Sequence, residues 1–132
     1  MIFVDTGPFL AKYRRRDQYH LEAERLWPVV ERPVLTSSHV IGEFATLLGR
    51  YVGFEPAADR ASELYGSSGI DILQSTRADE IEALNWMKKY ADQHIGFTDC
   101  LSFALMRRHG IRAAFTFDRH FRDAGFDVVG VK

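Results

Sequence analysis

The chain is 132 residues long, a length that predicts a single domain over residues 1–132. Its 17 Lys and Arg against 18 Asp and Glu lack the basic excess typical of nucleic-acid-binding proteins, so such binding would need local patches or metal ions. The single cysteine, Cys100, excludes an intrachain disulfide and indicates a reducing cytoplasm. The first ten residues contain Asp5 and Pro8 and lack the apolar run of a signal peptide or membrane anchor, so no membrane association is expected.

Short apolar runs alternate with segments of helical periodicity. In chain order, we predict strand 1–4, helix 8–13, helix 17–26, strand 33–36, helix 38–52, helix 56–65, strand 70–73, helix 77–90, helix 99–109, strand 113–116, helical turn 118–123 and strand 127–131. This alternation favours an α/β fold with a mainly parallel sheet. Side-chain N-caps are expected at four helices, from Asp17, Ser37 or Ser38, Thr76 (a capping box with Asp79) and Thr98.

Two acidic residues follow predicted strands. Asp5 ends the first strand, and Asp118 lies just beyond the fourth. In open parallel sheets, ligands bind outside the carboxyl ends of the strands, where the strand order reverses. A turn or helix-capping role also explains either residue, so position alone leaves their function open.

Two further acids lie on predicted helices. Glu43 has Val40 and Leu47 as its neighbours at i−3 and i+4, so it borders the apolar stripe of its helix. Asp99 lies in the first turn of a strongly apolar helix, whose start is therefore expected near the sheet. Alone, Glu43 is also explained as a glutamate that reaches solvent, and Asp99 as a residue that stabilises its helix.

A cluster of these four carboxylates would require a counter-charge. Two carboxylates about 4 Å apart repel each other by roughly 4 kcal/mol at a surface-like dielectric constant. Protons or a cation must therefore neutralise the cluster, and Mg²⁺ is a hard cation that prefers oxygen ligands. Such an ion activates water and screens the charge of a phosphate under attack. An acidic pocket can thus serve an anionic polymer, and the chain need not be basic overall.

Four segments together resemble the motifs of the PIN-domain family. They are Ile2-Phe3-Val4-Asp5-Thr6-Gly7-Pro8-Phe9-Leu10, Thr36-Ser37-Ser38-His39-Val40-Ile41-Gly42-Glu43, Phe97-Thr98-Asp99-Cys100-Leu101-Ser102-Phe103-Ala104 and Thr116-Phe117-Asp118-Arg119-His120-Phe121. No single segment is specific, but the ordered set on an alternating α/β chain is, and the resemblance spans essentially the whole chain. The compact length and the Asp17-x-x-His20 segment are most similar to VapC-type toxins.

The resemblance implies a three-layer α/β/α fold whose five strands lie in the order 3-2-1-4-5. It implies an endoribonuclease in which a metal-activated water hydrolyses the RNA phosphodiester bond. The implied cofactor is Mg²⁺, or Mn²⁺, and the implied partners are an RNA substrate, a second copy in a homodimer and a cognate antitoxin protein. The residues implied to be catalytic and to hold the metal are the four acids, Asp5, Glu43, Asp99 and Asp118.

Other polar residues are expected to support this site. Thr6 and Thr116 match small hydroxyl positions of the family, where we expect hydrogen bonds to carboxylates. Arg14 and Arg15 belong to a dense basic run and are candidates for phosphate contacts, as is Arg119 beside the fourth acid. A solvated loop also explains the basic run.

Parts of the sequence also match the motifs of other enzyme classes. Asp5-Thr6-Gly7 also matches the aspartic-protease triplet, but that fold requires a β-rich chain. A haloacid-dehalogenase-like phosphatase needs a second Asp where this chain has Gly7, and no Gly-rich stretch ends as a P-loop does. A housekeeping RNA-processing nuclease of the same fold and a PIN-like interaction module that does not cleave RNA stay open. The five histidines show no metal-ligand pairing at helical spacing and are expected at the surface or at helix caps.

Overall fold

Five parallel strands form the central sheet of the computed structural model, which describes residues 1–131. The strands are β1 (Ile2–Val4), β2 (Val34–Ser37), β3 (Ile70–Leu73), β4 (Ala113–Phe115) and β5 (Asp127–Val129). Their order is β3-β2-β1-β4-β5, and every pairing between them is parallel, which confirms the predicted topology. β1 is therefore the central strand, and all its residues are buried.

Helices cover both faces of the sheet and complete the predicted three-layer α/β/α architecture. The α-helices are α1 (Thr6–Tyr13), α2 (His20–Leu26), α3 (Ser38–Val52), α4 (Phe54–Gly66), α5 (Arg77–Lys89), α6 (Phe97–Arg108) and α7 (His120–Asp123), with short 3₁₀ helices at Trp27–Val29 and Ala91–Gln93. α1 packs against α2 and α3, α3 packs against α4, and α5 packs against α6. Within residues 1–131, no helix is both long and apolar enough to cross a membrane.

The strand order reverses at β1, which lies between β2 and β4. Phe3 is level with Leu35 on one side and with Ala114 on the other. Where β1 ends, the Asp5 N–H donates a 3.0 Å hydrogen bond to the carbonyl oxygen of Phe115. The residues that follow β1 and β4 therefore lie next to each other, at the edge of the sheet where parallel α/β folds bind ligands.

Local side-chain chemistry sets the start of two helices as predicted. The Ser37 hydroxyl accepts a 3.2 Å hydrogen bond from the Val40 N–H, so Ser37 caps α3. At α5, the Thr76 hydroxyl accepts from the Asp79 N–H and the Asp79 carboxylate accepts from the Thr76 N–H. This reciprocal pair is the predicted capping box.

Two cap predictions were wrong. Asp17 accepts a 2.8 Å hydrogen bond from the Tyr19 N–H within the turn before α2, and α2 begins only at residue 20. Thr98 lies inside α6, because that helix begins at Phe97 and its N-cap is the extended residue Gly96. Both errors have the same cause: a suitable capping side chain was present, but the backbone turned at a neighbouring residue.

Candidate metal centre

Asp5 is the most buried acid of the candidate site, with 6% of its surface exposed. The end of β1 places it, and the neighbouring strand fixes its carboxylate, since Oδ2 accepts a 2.8 Å hydrogen bond from the Thr116 hydroxyl. Oδ1 is buried and has no hydrogen-bond partner within the described chain. Burying a carboxylate oxygen without a hydrogen-bond donor costs free energy of folding, because the oxygen loses its hydrogen bonds to water and gains none in the protein.

Asp118 is tied to Asp5 through the same hydroxyl. The Asp118 N–H donates a hydrogen bond to Thr116 Oγ1 at 2.9 Å. The Thr116 hydroxyl therefore accepts from the Asp118 backbone and donates to the Asp5 carboxylate. Asp118 Oδ1 accepts from the His120 N–H at 2.8 Å and lies 3.1 Å from His120 Nδ1. The turn after β4 thus orders Asp118 before α7 begins.

Glu43 and Asp99 reach the site from two helices. Glu43 projects from the second turn of α3, and Asp99 from the first turn of α6. Asp99 Oδ2 lies 4.0 Å from His120 Nδ1. Both acids line one cavity of about 490 Å³ together with Asp5 and Asp118. The structure therefore brings together all four acids that the sequence singled out, each from a different part of the chain.

Burial and crowding raise the pKa of two of these acids. Burial, reinforced by the charges of Asp5 and Asp118, raises the pKa of Asp99 to about 9. Burial also raises the pKa of Asp5 to about 6, against the lowering effect of hydrogen bonds from the Thr6 amide and the Thr116 hydroxyl. Without a cation, the cluster therefore keeps at least one proton at neutral pH.

The donor atoms of this cluster fit a divalent cation. One ligand atom each from Asp99, Asp118 and His120 lie within 4.8 Å of one another. The unpartnered Oδ1 of Asp5 supplies a buried negative oxygen that a cation would compensate. Carboxylate oxygens are the ligands that Mg²⁺ and Mn²⁺ prefer, and an imidazole nitrogen is a ligand that favours transition-metal ions.

The family profile described as "PIN domain" matches residues 2–127. The chain belongs to the PIN-domain family. The matched range includes all four acids of the cavity, so the resemblance of the four sequence segments is confirmed.

Two curated relatives of this PIN domain are VapC-type proteins of Mycobacterium tuberculosis. The 23S rRNA-specific endonuclease VapC20 is 39% identical over 126 residues, which cover 96% of this chain and 95% of the relative. Ribonuclease VapC26 is 30% identical over 122 residues, which cover 91% and 89%. The predicted similarity to VapC-type toxins is therefore confirmed.

Solved structures agree with this assignment. The crystal structure of M. tuberculosis VapC20, described as a Sarcin-Ricin loop cleaving toxin, matches the PIN domain with a TM-score of 0.90 and 37% identity, over 99% of this chain and 98% of that one. FitAcB from Neisseria gonorrhoeae matches with a TM-score of 0.69 and 19% identity, over 97% and 96%. At that identity the second likeness shows the fold alone.

The two threonines predicted to support the site of the PIN domain differ in their contacts. Thr116 makes the expected hydrogen bond to a carboxylate. The Thr6 hydroxyl is buried and has no partner within the described residues, whereas the Thr6 amide lowers the pKa of Asp5. Thr6 thus acts on the acid through its backbone.

The predicted basic residues lie outside the acidic cavity. The Arg14 guanidinium is 3.6 Å from the centre of the Tyr51 ring, and Arg14 and Arg15 line a separate cavity with Tyr51 and Val52. Arg119 is exposed beside Asp118. A phosphate contact by any of these arginines stays a prediction.

Sequence reasoning missed two features of the site of the PIN domain. The histidines are predicted at the surface or at helix caps, but His120 faces Asp99 and Asp118. Its position two residues after Asp118 in a turn is a signal that both side chains face the same site. Three aromatic side chains of the cavity were also missed, namely Tyr19, Phe97 and Phe117. Phe97 and Phe117 lie within two residues of Asp99 and Asp118, whereas Tyr19 is brought to the acids by the fold alone.

Proposed function

We propose that this chain is a metal-dependent endoribonuclease and the toxin of a toxin–antitoxin pair. One observation carries the proposal: four acids from separate elements of a PIN domain line a single cavity, and the most buried of them has an oxygen without a partner. The names of the relatives support RNA as the substrate, since VapC20 is called an rRNA-specific endonuclease and VapC26 a ribonuclease. An RNA substrate implies activity in the cytoplasm.

The proposed cofactor is Mg²⁺, or Mn²⁺, held by Asp5, Glu43, Asp99 and Asp118, with His120 able to add a ring nitrogen. When bound, such an ion supplies a water of lowered pKa and screens the negative charge that develops on the phosphate. The reaction adds water across a phosphodiester bond, which leaves one phosphate end and one hydroxyl end.

The residues of the chain position this chemistry. Thr116 holds the Asp5 carboxylate in one orientation and fixes the Asp118 backbone, so two of the acids keep a constant separation. Among the described residues that line the cavity, none is Lys or Arg. An RNA phosphate would therefore be repelled by the carboxylates unless a cation reversed the local sign of charge. This requirement makes the activity dependent on metal.

The proposal is tested by replacing the acid that anchors the site. Asp5→Asn should reduce RNA cleavage by at least 100-fold, because it removes one negative charge and the buried ligand oxygen. Cleavage is measured on total RNA and on purified ribosomes with Mg²⁺ or Mn²⁺ added, and the new RNA ends are sequenced. Asp71→Asn, which neutralises an exposed residue of β3, is the matched control and should cleave at the wild-type rate.

Two results would contradict the proposal. One is cleavage by Asp5→Asn at the rate of the Asp71→Asn control, and the other is cleavage by the wild-type protein that survives excess chelator. Either result would place the nuclease chemistry elsewhere or in a contaminant. Either result would favour the alternative in which the chain is a PIN-like interaction module that does not cleave RNA.

The toxin assignment extends the proposal to partners. It implies a homodimer and a cognate antitoxin protein that blocks the site; a solved neighbour of the same fold is described as a toxin-antitoxin complex from Klebsiella pneumoniae. Expression of the wild-type chain in a host without the antitoxin should arrest growth, whereas Asp5→Asn should not. Normal growth with active enzyme would favour a housekeeping RNA-processing nuclease instead.

A further inference from the structure

Two aromatic rings form a stacked pair beside the acidic cavity. The rings of Tyr19 and Phe117 are 4.4 Å apart at their centres and inclined by only 8°. Both residues line the cavity that holds the four acids. Both also line a second cavity of about 280 Å³, whose other lining residues are Glu22, Gly130 and Val131. The pair therefore stands between the acidic cavity and a neighbouring one.

The Phe117 ring of this pair is held by its surroundings. The backbones of Gly7 and Gly130 approach the ring closely. A Cβ atom placed on Gly7 would lie 3.5 Å from a ring carbon, and one placed on Gly130 would lie 3.3 Å from a ring carbon. Gly130 also has a φ of +113°, which residues with a side chain rarely adopt. On a further side, the Phe115 ring meets Phe117 edge-on at 5.8 Å. Two glycines and an aromatic ring thus leave Phe117 little freedom.

Tyr19 is ordered by its backbone and remains accessible. Its N–H donates to Asp17 Oδ1 at 2.8 Å, which fixes the turn before α2. Its ring stacks on Phe117, yet 38% of the residue is exposed. An aromatic surface that is ordered before binding loses little conformational entropy when a ligand stacks on it.

The charges of the two cavities restrict what can bind there. Four Asp and two Glu are among their lining residues, and no Lys or Arg is found among those that the structure describes. The phosphates of an RNA strand therefore find no basic side chain on these walls. Besides a cation at the acids, the two rings attract the face of an unpaired base, which stacks on aromatic side chains regardless of sequence.

We propose that the Tyr19–Phe117 pair is a stacking site for an unpaired RNA base next to the phosphate that is cleaved. This inference rests on the proposed nuclease function and specifies how its substrate is held. It predicts that the nucleotide beside the cleaved bond must be unstacked from its own helix, in a loop, bulge or single strand. A continuous duplex could not place a base on these rings.

The test is a cycle of two changes, one in the protein and one in the RNA. All proteins carry Asp5→Asn so that binding is measured without cleavage. Because this change removes one ligand oxygen of the cation site, Mn²⁺ is present throughout at a concentration that saturates the three remaining acids. The probe is a short RNA hairpin derived from a mapped cleavage site, with 2-aminopurine or an abasic nucleotide at the loop position beside the cleaved bond. Affinity and 2-aminopurine fluorescence are recorded for each combination.

Tyr19→Leu should weaken binding of the intact probe by roughly 10-fold and reduce the quenching of 2-aminopurine, because stacking on the ring is lost. Tyr19→Phe keeps the ring and should retain both signals. Leu21→Ala is the matched control, because Leu21 lies nearby in α2, is 79% exposed and lines neither cavity. With the abasic probe, the parent protein should already bind roughly 10-fold more weakly, and Tyr19→Leu should cause no further loss.

The outcomes separate this inference from the proposed function. Equal affinity and equal quenching with Tyr19→Leu and Tyr19→Phe would overturn the stacking site, even if the wild-type protein cleaves RNA. Ring-dependent binding together with wild-type cleavage that survives excess chelator would support the stacking site and overturn the metal-dependent nuclease. Equal loss with Tyr19→Leu on the intact and abasic probes would show that the ring does not act through the base, and would also overturn the stacking site.

Discussion

The two oxygens of the Asp5 carboxylate have different surroundings, and this difference defines the site at the scale of single residues. Oδ2 accepts a hydrogen bond from Thr116, whereas Oδ1 is buried without a partner. The Thr116 hydroxyl carries no charge, yet it touches the carboxylate of Asp5 and the backbone of Asp118. Because a hydrogen bond to a ligand fixes the ligand's orientation, Thr116 should control cation affinity without binding the cation.

Replacing Thr116 by Val should therefore weaken binding of Mn²⁺ by about 10- to 100-fold. Titration calorimetry of the purified protein measures this affinity directly. Thr36→Val is the control, because Thr36 is also buried and its hydroxyl donates to the carbonyl oxygen of Val4 at 2.8 Å. Thr36→Val loses one hydrogen bond and Thr116→Val loses two, but only Thr116→Val should lose affinity for Mn²⁺. Equal affinities in the two variants would show that Thr116 has a purely structural role.

Residue-level reasoning from the sequence found the four acids and missed His120. The acids were found because each occupied a segment that resembles a family motif, and because Asp5 and Asp118 follow strands. His120 lies in the fourth of these segments, but its role depends on Asp99, which reaches the site from α6. Its ring lies 4.0 Å from Asp99, which is 21 positions away in the sequence. No local pattern records a contact of that kind.

At the scale of elements, an ion pair between a buried carboxylate and a partly exposed guanidinium joins α5 to α6. Asp79 is 3% exposed and belongs to the capping box at the start of α5. Its two oxygens accept hydrogen bonds from Arg108 at the end of α6, from Nε at 2.7 Å and from Nη2 at 2.9 Å. Burial raises the pKa of Asp79, but the hydrogen bonds from Arg108 and Thr76 outweigh it and lower the pKa overall.

Asp79→Ala should therefore lower the free energy of unfolding by about 2 kcal/mol, since it removes part of the capping box of α5 and a bidentate ion pair with Arg108. A carboxyl with a lowered pKa stabilises the fold above its ordinary pKa, and this contribution is lost as the pH falls through the lowered value. The difference between wild type and Asp79→Ala in urea denaturation should thus be full at pH 7 and shrink below about pH 4. Glu80→Ala, at the exposed neighbouring position, should cost less than about 0.5 kcal/mol. A difference that persists unchanged at pH 2 would exclude the ion pair as its source.

The starts of α5 and α6 show why the existence of a helix is easier to predict from sequence than its first residue. The capping box at Thr76 and Asp79 is local, so sequence alone identified it. The start of α6 is not set by a local side-chain pattern. Its first helical hydrogen bond runs from the Cys100 N–H to the carbonyl oxygen of Gly96. Thr98 therefore already lies within the helix, and its carbonyl oxygen accepts from the Ser102 hydroxyl. The backbone path out of the preceding loop decided this boundary.

At the scale of the whole molecule, a net charge of −1 conceals a strong separation of charge. Four acids converge in one cavity, while the basic residues lie elsewhere on the described chain.

The alternation of strands and helices predicted a parallel sheet, but not which strands are neighbours. That order came from the resemblance to the family, because several crossover patterns satisfy the same local sequence. The convergence of the acids depends on this order, so it could not have been derived from local patterns.

This convergence has a consequence for stability in the absence of a cation. A carboxyl whose pKa is raised by folding binds more protons in the folded state than in the unfolded state. Its destabilising effect is absent below the ordinary pKa of about 3.9 and grows as the pH rises toward the raised value. For Asp99, with a pKa of about 9, the protein should therefore lose stability between pH 7 and pH 9. Below that window His39 acts in the opposite direction, since burial lowers its pKa to about 4.

Asp99→Asn should raise the free energy of unfolding at pH 8 in the presence of chelator by about 1–3 kcal/mol, because it removes the crowded charge. It should also flatten the decline in stability between pH 7 and pH 9, which denaturation curves at several pH values measure. Adding Mn²⁺ should stabilise the wild-type protein and hardly affect the variant, since only the folded wild type binds the ion tightly. Asp71→Asn controls for the loss of a charge at an exposed position and should follow the wild type. If Asp99→Asn were less stable than this control in chelator, the four acids would not repel one another, and the case for a cation among them would fail.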